Sequence, residues 1–243
     1  MIKIKNLSLK IKDKKIYDNI DLEFGKWNIY CLLWKNWSWK SSISQSIAWN
    51  PKYSEYEWEI TVDSEAINWL SPDEISKKWI FLAFQNIPEI PGIKLQEFLR
   101  TIYNNKKSSE IEGFKPISPF IFSRILNKLC DELSIPNEFM KRDLNVWFSW
   151  WEKRKIEILQ MKLLEPKYII LDEIDSGLDL NSVKLVREMI KEISNKDNTF
   201  IIITHNFWII EGINIDKVIV MKEWKIIQKW TWELIDKIKE NGF

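Results

Sequence analysis

Lys40, Ser41 and Ser42 close the run Trp34-Lys35-Asn36-Trp37-Ser38-Trp39-Lys40-Ser41-Ser42, directly after the apolar stretch Ile29–Leu33. A cation and two hydroxyls at the start of a helix, fed by a buried strand, suit phosphate binding. In such a site Lys40 reaches phosphate oxygens and the Ser41 hydroxyl binds Mg²⁺. The rest of the cradle is backbone N–H, which needs residues free to adopt φ > 0. Tryptophan obstructs this chemistry twice. A left-handed conformation costs a non-glycine residue about 1–2 kcal/mol, and the indoles of Trp34, Trp37 and Trp39 fill the space of the phosphates.

The chain holds 15 Trp and only 6 Gly. Average usage predicts roughly 17 Gly at this length, so the two types together approximate an ordinary glycine content. With glycine at each Trp, residues 34–42 read Gly-Lys-Asn-Gly-Ser-Gly-Lys-Ser-Ser, a complete Walker A loop between a strand and a helix. The substitution also turns Phe148-Ser149-Trp150-Trp151-Glu152 into Phe-Ser-Gly-Gly-Glu. Trp27, Trp49, Trp58, Trp79, Trp147, Trp224 and Trp230 fall at turns or strand edges where glycine is at home, whereas Trp69, Trp208 and Trp232 are less diagnostic. The expectation is a gene in which UGA encodes glycine and has been translated as tryptophan. A composition rich in Lys, Ile and Asn fits an AT-rich genome. The rival accounts are a deliberately inactivated or decayed protein and an interaction module whose tryptophans are literal.

The elements that must position these residues alternate between strands and helices. Ile2–Leu7 and Ile16–Phe24 read as strands of a partly buried sheet, and Ile29–Leu33 as a buried strand of a mostly parallel one. Helical character over Lys40–Ala48 follows, then strands at Trp58–Val62 and Ile80–Phe84. Residues 86–145 carry five prolines between helical stretches at Leu95–Asn104 and Pro119–Leu133, as an inserted helical subdomain would, with a surface loop at 107–118. Helix Glu152–Leu164 stops before Pro166, and Tyr168–Leu171 forms a strand ending in Asp172-Glu173. An amphipathic helix spans Asn181–Ser194, Phe200–Thr204 is a buried strand ending at His205, and a late hairpin covers 217–229. The pattern is α/β.

At 243 residues the chain is one large domain or two intimate subdomains. A net charge of +1 argues against a nucleic-acid binder. Every apolar run is shorter than about 18 residues, so no membrane insertion is expected. Met1–Lys5 lacks a signal-peptide core, and Cys31 and Cys130 lie too far apart for a metal motif or disulfide framework. A cytoplasmic protein is the expectation.

With glycine in place of tryptophan, Phe148–Glu152 resembles the signature motif of ABC-type ATPases. Asp172-Glu173 after its strand resembles Walker B, Ser176-Gly177-Leu178-Asp179 the D-loop, Gln85 the Q-loop glutamine and His205 the switch histidine. Among these ATPases the chain is similar to the SufC type of iron–sulfur cluster assembly, on Phe84-Gln85-Asn86-Ile87-Pro88-Glu89-Ile90-Pro91-Gly92, Asp172–Asp179 and Asn145–Ser149. The resemblance implies a P-loop NTPase fold with a mixed-sheet core and antiparallel β subdomain (1–85 and 146–243) and a helical subdomain (86–145), together one ABC ATPase domain over 1–243. It implies ATP and Mg²⁺. It implies that the positions of Trp34, Lys35, Asn36, Trp37, Ser38, Trp39, Lys40, Ser41 and Ser42, with glycine for tryptophan, bind nucleotide. Ser149, Trp150, Trp151 and Glu152 reach it from the other subunit of a transient head-to-tail homodimer, with Asp179 at the interface. By the same resemblance Ser41, Gln85 and Asp172 would hold the metal, Glu173 would activate water, and His205 and Gln85 would sense the γ-phosphate. The implied partners are scaffold proteins like SufB and SufD. The alternatives are a nucleotide-binding subunit of an ABC membrane transporter and, with literal tryptophans, an inactive interaction module. As a nucleotide site, all nine positions of the loop depend on the codon reading. The tryptic peptide Asn36–Lys40 from native cells is therefore expected to weigh as a chain with glycine at 37 and 39, and tryptophan at both would remove the ATPase assignment.

Overall fold

Alternation of apolar and charged residues builds the first sheet. In the computed structural model, which describes residues 1–11, 14–34, 40–48, 58–175, 178, 180–194, 197–222 and 225–230, strand β1 (Ile2–Ile11) pairs antiparallel with β2 (Lys14–Phe24). Ile2 and Ile4 are buried while Lys3 is half-buried and Lys5 exposed, the period of two that a one-sided sheet requires, and Asn6, at φ 56°, breaks it where the register with β2 shifts. After β3 (Ile29–Trp34) and helix α1 (Lys40–Ile47), β4 (Glu59–Val62) returns to pair with the other side of β1, and the short β5 (Glu65–Ala66) extends the sheet to the order β2-β1-β4-β5. Helix α2 (Pro72–Ser76) starts with a capping box between Ser71 and Glu74 and leads to β6 (Ile80–Ala83).

The chain divides into two compact units, Met1–Gln85 with Pro166–Phe243, and Asn86–Glu165. The second unit opens with β7 (Ile90–Lys94) and contains helices α3 (Leu95–Glu110) and α4 (Pro119–Glu132), strand β8 (Asp143–Leu144) paired with β7, and helix α5 (Trp150–Leu164). The surface loop expected at 107–118 begins later, because α3 continues to Glu110. An i,i+3 ion pair, Lys107–Glu110 at 2.8 Å, supports that last turn. Buried Lys106 donates to the Leu164 carbonyl, which satisfies an orphan acceptor at the end of α5. The unit also extends past residue 145 to Glu165, because Ile156, Leu159 and Leu163 of α5 complete a core with Leu99, Phe122 and Leu126.

The first unit resumes with β9 (Tyr168–Asp172), α6 (Leu180–Ile193), β10 (Thr199–Thr204), β11 (Lys217–Lys222) and β12 (Lys225–Trp230). Among the described residues these join β3 and β6 in a sheet of order β12-β11-β3-β10-β9-β6. Every adjacent pair is parallel except the β11–β12 hairpin. All residues of β9 and β10 are buried, as expected for inner strands of a sheet covered on both faces. Ile43 and Ile47 of α1 and the inward residues of β1 and β4 pack on Tyr168, Ile170, Ile201 and Ile203. The carboxyl ends of β3, β6, β9 and β10 therefore share one edge.

Among the described residues, three tryptophans occupy the left-handed region: Trp27 at φ 62°, Trp79 at φ 66° and Trp147 at φ 59°. For a bulky aromatic residue this conformation is strained. Trp27 and Trp147 recover little by packing, since they are 64% and 90% exposed. Substitutions Trp27→Gly and Trp147→Gly are each expected to raise stability by about 1 kcal/mol, read as a higher urea midpoint at unchanged slope.

Candidate active site at the carboxyl edge of the parallel sheet

The acidic pair leaves the core where β9 ends. Asp172 is buried and accepts a hydrogen bond from the Ser44 hydroxyl of α1 at 2.7 Å. Helix α1 and the end of β9 are thereby tied together. Glu173 turns the chain with φ 46°, and its N–H donates to the Ile203 carbonyl of β10 at 2.9 Å. Strain at such a position is retained where surrounding contacts over-determine it. Here it throws the side chain out of the strand direction.

The Glu173 carboxylate meets two side chains. Gln85 donates from Nε2 to Glu173 Oε2 at 3.1 Å, and His205 Nδ1 lies 3.3 Å from Glu173 Oε1. Gln85 follows β6 and His205 follows β10, so three parallel strands each contribute one member. Ligand sites of open parallel sheets lie at this carboxyl edge. The three groups can hold and orient a water, and the carboxylate can take its proton. Trp34 ends β3 on the same edge, and Lys40, Ser41 and Ser42 open α1; their side chains, with Lys35, Asn36, Trp37, Ser38, Trp39, Ser176, Gly177 and Asp179, lie outside the described residues.

In the second unit, Ser149 and Glu152 are brought together for a reason the Ser-x-x-Glu spacing signals. Ser149 caps α5: its N–H donates to Glu152 Oε2 at 2.7 Å, and its hydroxyl accepts from the Glu152 N–H at 3.3 Å. The backbone bond from Ser149 holds the Glu152 carboxyl below its usual range. Trp150 and Trp151, the first two helical residues, stack with ring centroids 6.2 Å apart, and the Arg154 guanidinium lies 5.0 Å from the Trp150 ring. The helix N-terminus is thus preorganised for an anion, with indoles where glycine would leave the approach open. The preceding segment is fixed within the same unit: Asn145 donates to the Pro88 carbonyl at 2.9 Å, and Lys153 pairs with Glu89 at 2.7 Å.

The donor set fits Mg²⁺, which prefers hard oxygen ligands. The carboxylate of Asp172 stands at a strand end beside α1, and the Gln85 amide supplies a neutral oxygen. Among the described residues no group of three His, Cys, Asp or Glu side chains is placed to hold a metal by itself. Cys31 and Cys130 are buried in different units, and burial pushes the Cys130 thiol up to about 11. Ser44, Asp175 and Thr204 also belong to the site's framework. Nothing in the local sequence pattern marks Ser44, and Asp175 stands out only as a third carboxylate in the run Asp172–Asp175.

No protein-family model matches the chain. The sequence is 35% identical over 243 residues to the probable ATP-dependent transporter slr0075 of Synechocystis, across 100% of this chain and 94% of that protein. It is 34% identical to the ycf16 protein of Cyanidium caldarium, covering 100% and 95%, and 32% identical to the probable ATP-dependent transporter SufC of Escherichia coli, covering 100% and 97%. The chain belongs to the SufC-like family of ABC ATPases.

Solved structures agree on the fold. The ATP-binding cassette MJ0796, in a dimeric post-hydrolysis state bound to ADP and Pi, superposes with a TM-score of 0.74 at 18% identity, covering 95% of this chain and 98% of that one. The ADP form of the cassette MJ1267 gives 0.75 at 19% identity, covering 99% and 95%. The architecture of this SufC-like chain is therefore the ABC cassette. Among the described residues no helix is long and apolar enough to cross a membrane. Removing the cap on α5 by Ser149→Ala is expected to cost about 1 kcal/mol, measured by urea unfolding. Glu152's own contribution to the cap, made mainly with the Ser149 backbone N–H that alanine keeps, is present above the unfolded glutamate value near pH 4.5 and fades as pH falls through its depressed folded value.

Proposed function

We propose that the chain hydrolyses ATP and drives conformational change in a cytoplasmic iron–sulfur cluster assembly complex. The observation that carries the ATPase reading is the meeting of Gln85, Glu173 and His205 beside Asp172 at one sheet edge. Full-length similarity to SufC of Escherichia coli and the segment Phe84–Gly92 support the assembly role. The reading requires glycine at 34, 37, 39, 150 and 151. The left-handed backbone at Trp27, Trp79 and Trp147 supports a gene-wide tryptophan-for-glycine substitution.

In this proposal ATP lies between residues 34–42 of one subunit and 149–152 of the other, in a head-to-tail dimer with Asp179 at the interface. Lys40 pairs with the phosphates. Ser41, Asp172 and Gln85 would hold Mg²⁺, which neutralises phosphate charge when bound. Glu173 orients the attacking water and accepts its proton, while Gln85 and His205 fix the carboxylate and respond to the γ-phosphate. Ser149 and the N–H groups at 150 and 151 meet the terminal phosphate from the opposite subunit, where a helix N-terminus favours negative charge. Partners resembling SufB and SufD receive the motion.

A second reading, the nucleotide-binding subunit of a membrane transporter, is favoured by the transporter names of the relatives. The two separate on the native protein's companions. Soluble scaffold proteins are expected to co-purify with it, and membrane-spanning subunits would support the second reading instead. In the chain carrying glycine at the five positions, Glu173→Gln is expected to lower turnover by about 10²–10⁴-fold with ATP still bound. Turnover unaffected by that substitution would remove Glu173 from the reaction.

A further inference from the structure

His205 and Glu173 must keep a fixed separation, yet each stands on a turn rather than in a strand. Two cross-links join those turns. One is the backbone bond from the Glu173 N–H to the Ile203 carbonyl. The other is made by side chains that the proposed reaction does not use. Thr204, fully buried at the end of β10, directs its hydroxyl at the Asp175 carboxylate, 2.9 Å from Oδ2 and 3.0 Å from Oδ1. The same oxygen accepts the Asn206 N–H at 2.9 Å. Asn206 Oδ1 in turn accepts the Trp208 N–H at 3.0 Å and shapes the turn that follows His205.

One hydroxyl thus touches the turn after β9 and both sides of His205. The arrangement is costly, because Asp175 is buried and burial raises its carboxyl above the ordinary value against the lowering effect of the Thr204 bond. A purely packing role would be met more cheaply by an apolar side chain. Asp175 lies two residues after Glu173, and Thr204 lies one residue before His205.

We infer that Asp175 and Thr204 form a positioning bracket that sets the distance between the His205 imidazole and the Glu173 carboxylate. Neither side chain acts on substrate; both act through the two residues they flank. The catalytic consequence rests on the ATPase reading above, whereas the bracket itself is a property of the ligand-free chain.

His205 is the only histidine, so its ring Cε1–Hε1 NMR signal reports on this residue alone. The test uses the chain with glycine at 34, 37, 39, 150 and 151. Thr204→Val and Asp175→Ala, two independent routes to the same loss, are each expected to shift or broaden that signal without nucleotide. Thr204→Ser keeps the hydroxyl and is expected to restore it. With ATP, either loss is expected to lower kcat on the order of 10²-fold with little change in KM, as displacement of a reacting group by about 1 Å does. The double variant is expected to be no worse than either single one, since the two residues act as a unit. A His205 signal superimposable on the parent's in both variants overturns the inference, as does a double variant whose losses multiply. If the parent chain turns over no ATP while the His205 signal responds as expected, the ATPase reading falls and the bracket stands.

Discussion

The position of β10 between β3 and β9 is the constraint on which the site depends. Its register sets Ile203 opposite both Leu32 and Asp172, and Thr204 opposite Leu33. Three parallel strands then end together, and their polar continuations have one place to go. Slipping β10 by a single residue would turn its side chains to the other face. The Glu173 N–H would lose the Ile203 carbonyl, and Thr204 would leave Asp175. A strand buried along its whole length tolerates no such slip, because both faces are packed.

The tryptophans conflict with this frame in two ways. At Trp27, Trp79 and Trp147 the conflict is conformational: the turn demands φ > 0 and the residue resists it. Together these positions cost about 3–6 kcal/mol, a large part of the roughly 5–15 kcal/mol that holds a domain folded. At Trp150 and Trp151 the backbone is ordinary helix, and the conflict is spatial, since the two rings stack at the opening of α5. Glycine would relieve the first conflict by its backbone freedom and the second by its lack of a side chain.

The second unit shows how local signals and distant contacts divide the work. Ser149 and Glu152 need only their spacing and a helix between them to form the cap. Asn145, in contrast, finds the Pro88 carbonyl 57 residues away, and Lys153 finds Glu89 at a separation of 64. Those contacts fix the segment after Gln85 against the segment leading into α5. They arise because β7 and β8 pair and carry the two segments together.

Most of the strand and helix order, the acidic pair, the lone histidine and the family were legible in the sequence, because each depends on residue type over a short span, whereas the short β5, α2, β7 and β8 were not. The length of α3 past residue 106 was not, since it rests on ion pairs and on Lys106 reaching the end of α5. The extent of the helical unit to Glu165 was not either, because α5 joins whichever core its apolar face meets. The sequence by itself determined which groups could perform the chemistry. Only the tertiary structure decided that Gln85, Glu173 and His205 converge, that Ser44 meets Asp172 and that Thr204 meets Asp175. Those partners are separated by 29 to 128 residues, and only parallel pairing and close packing of the sheet bring such distant positions within hydrogen-bond reach.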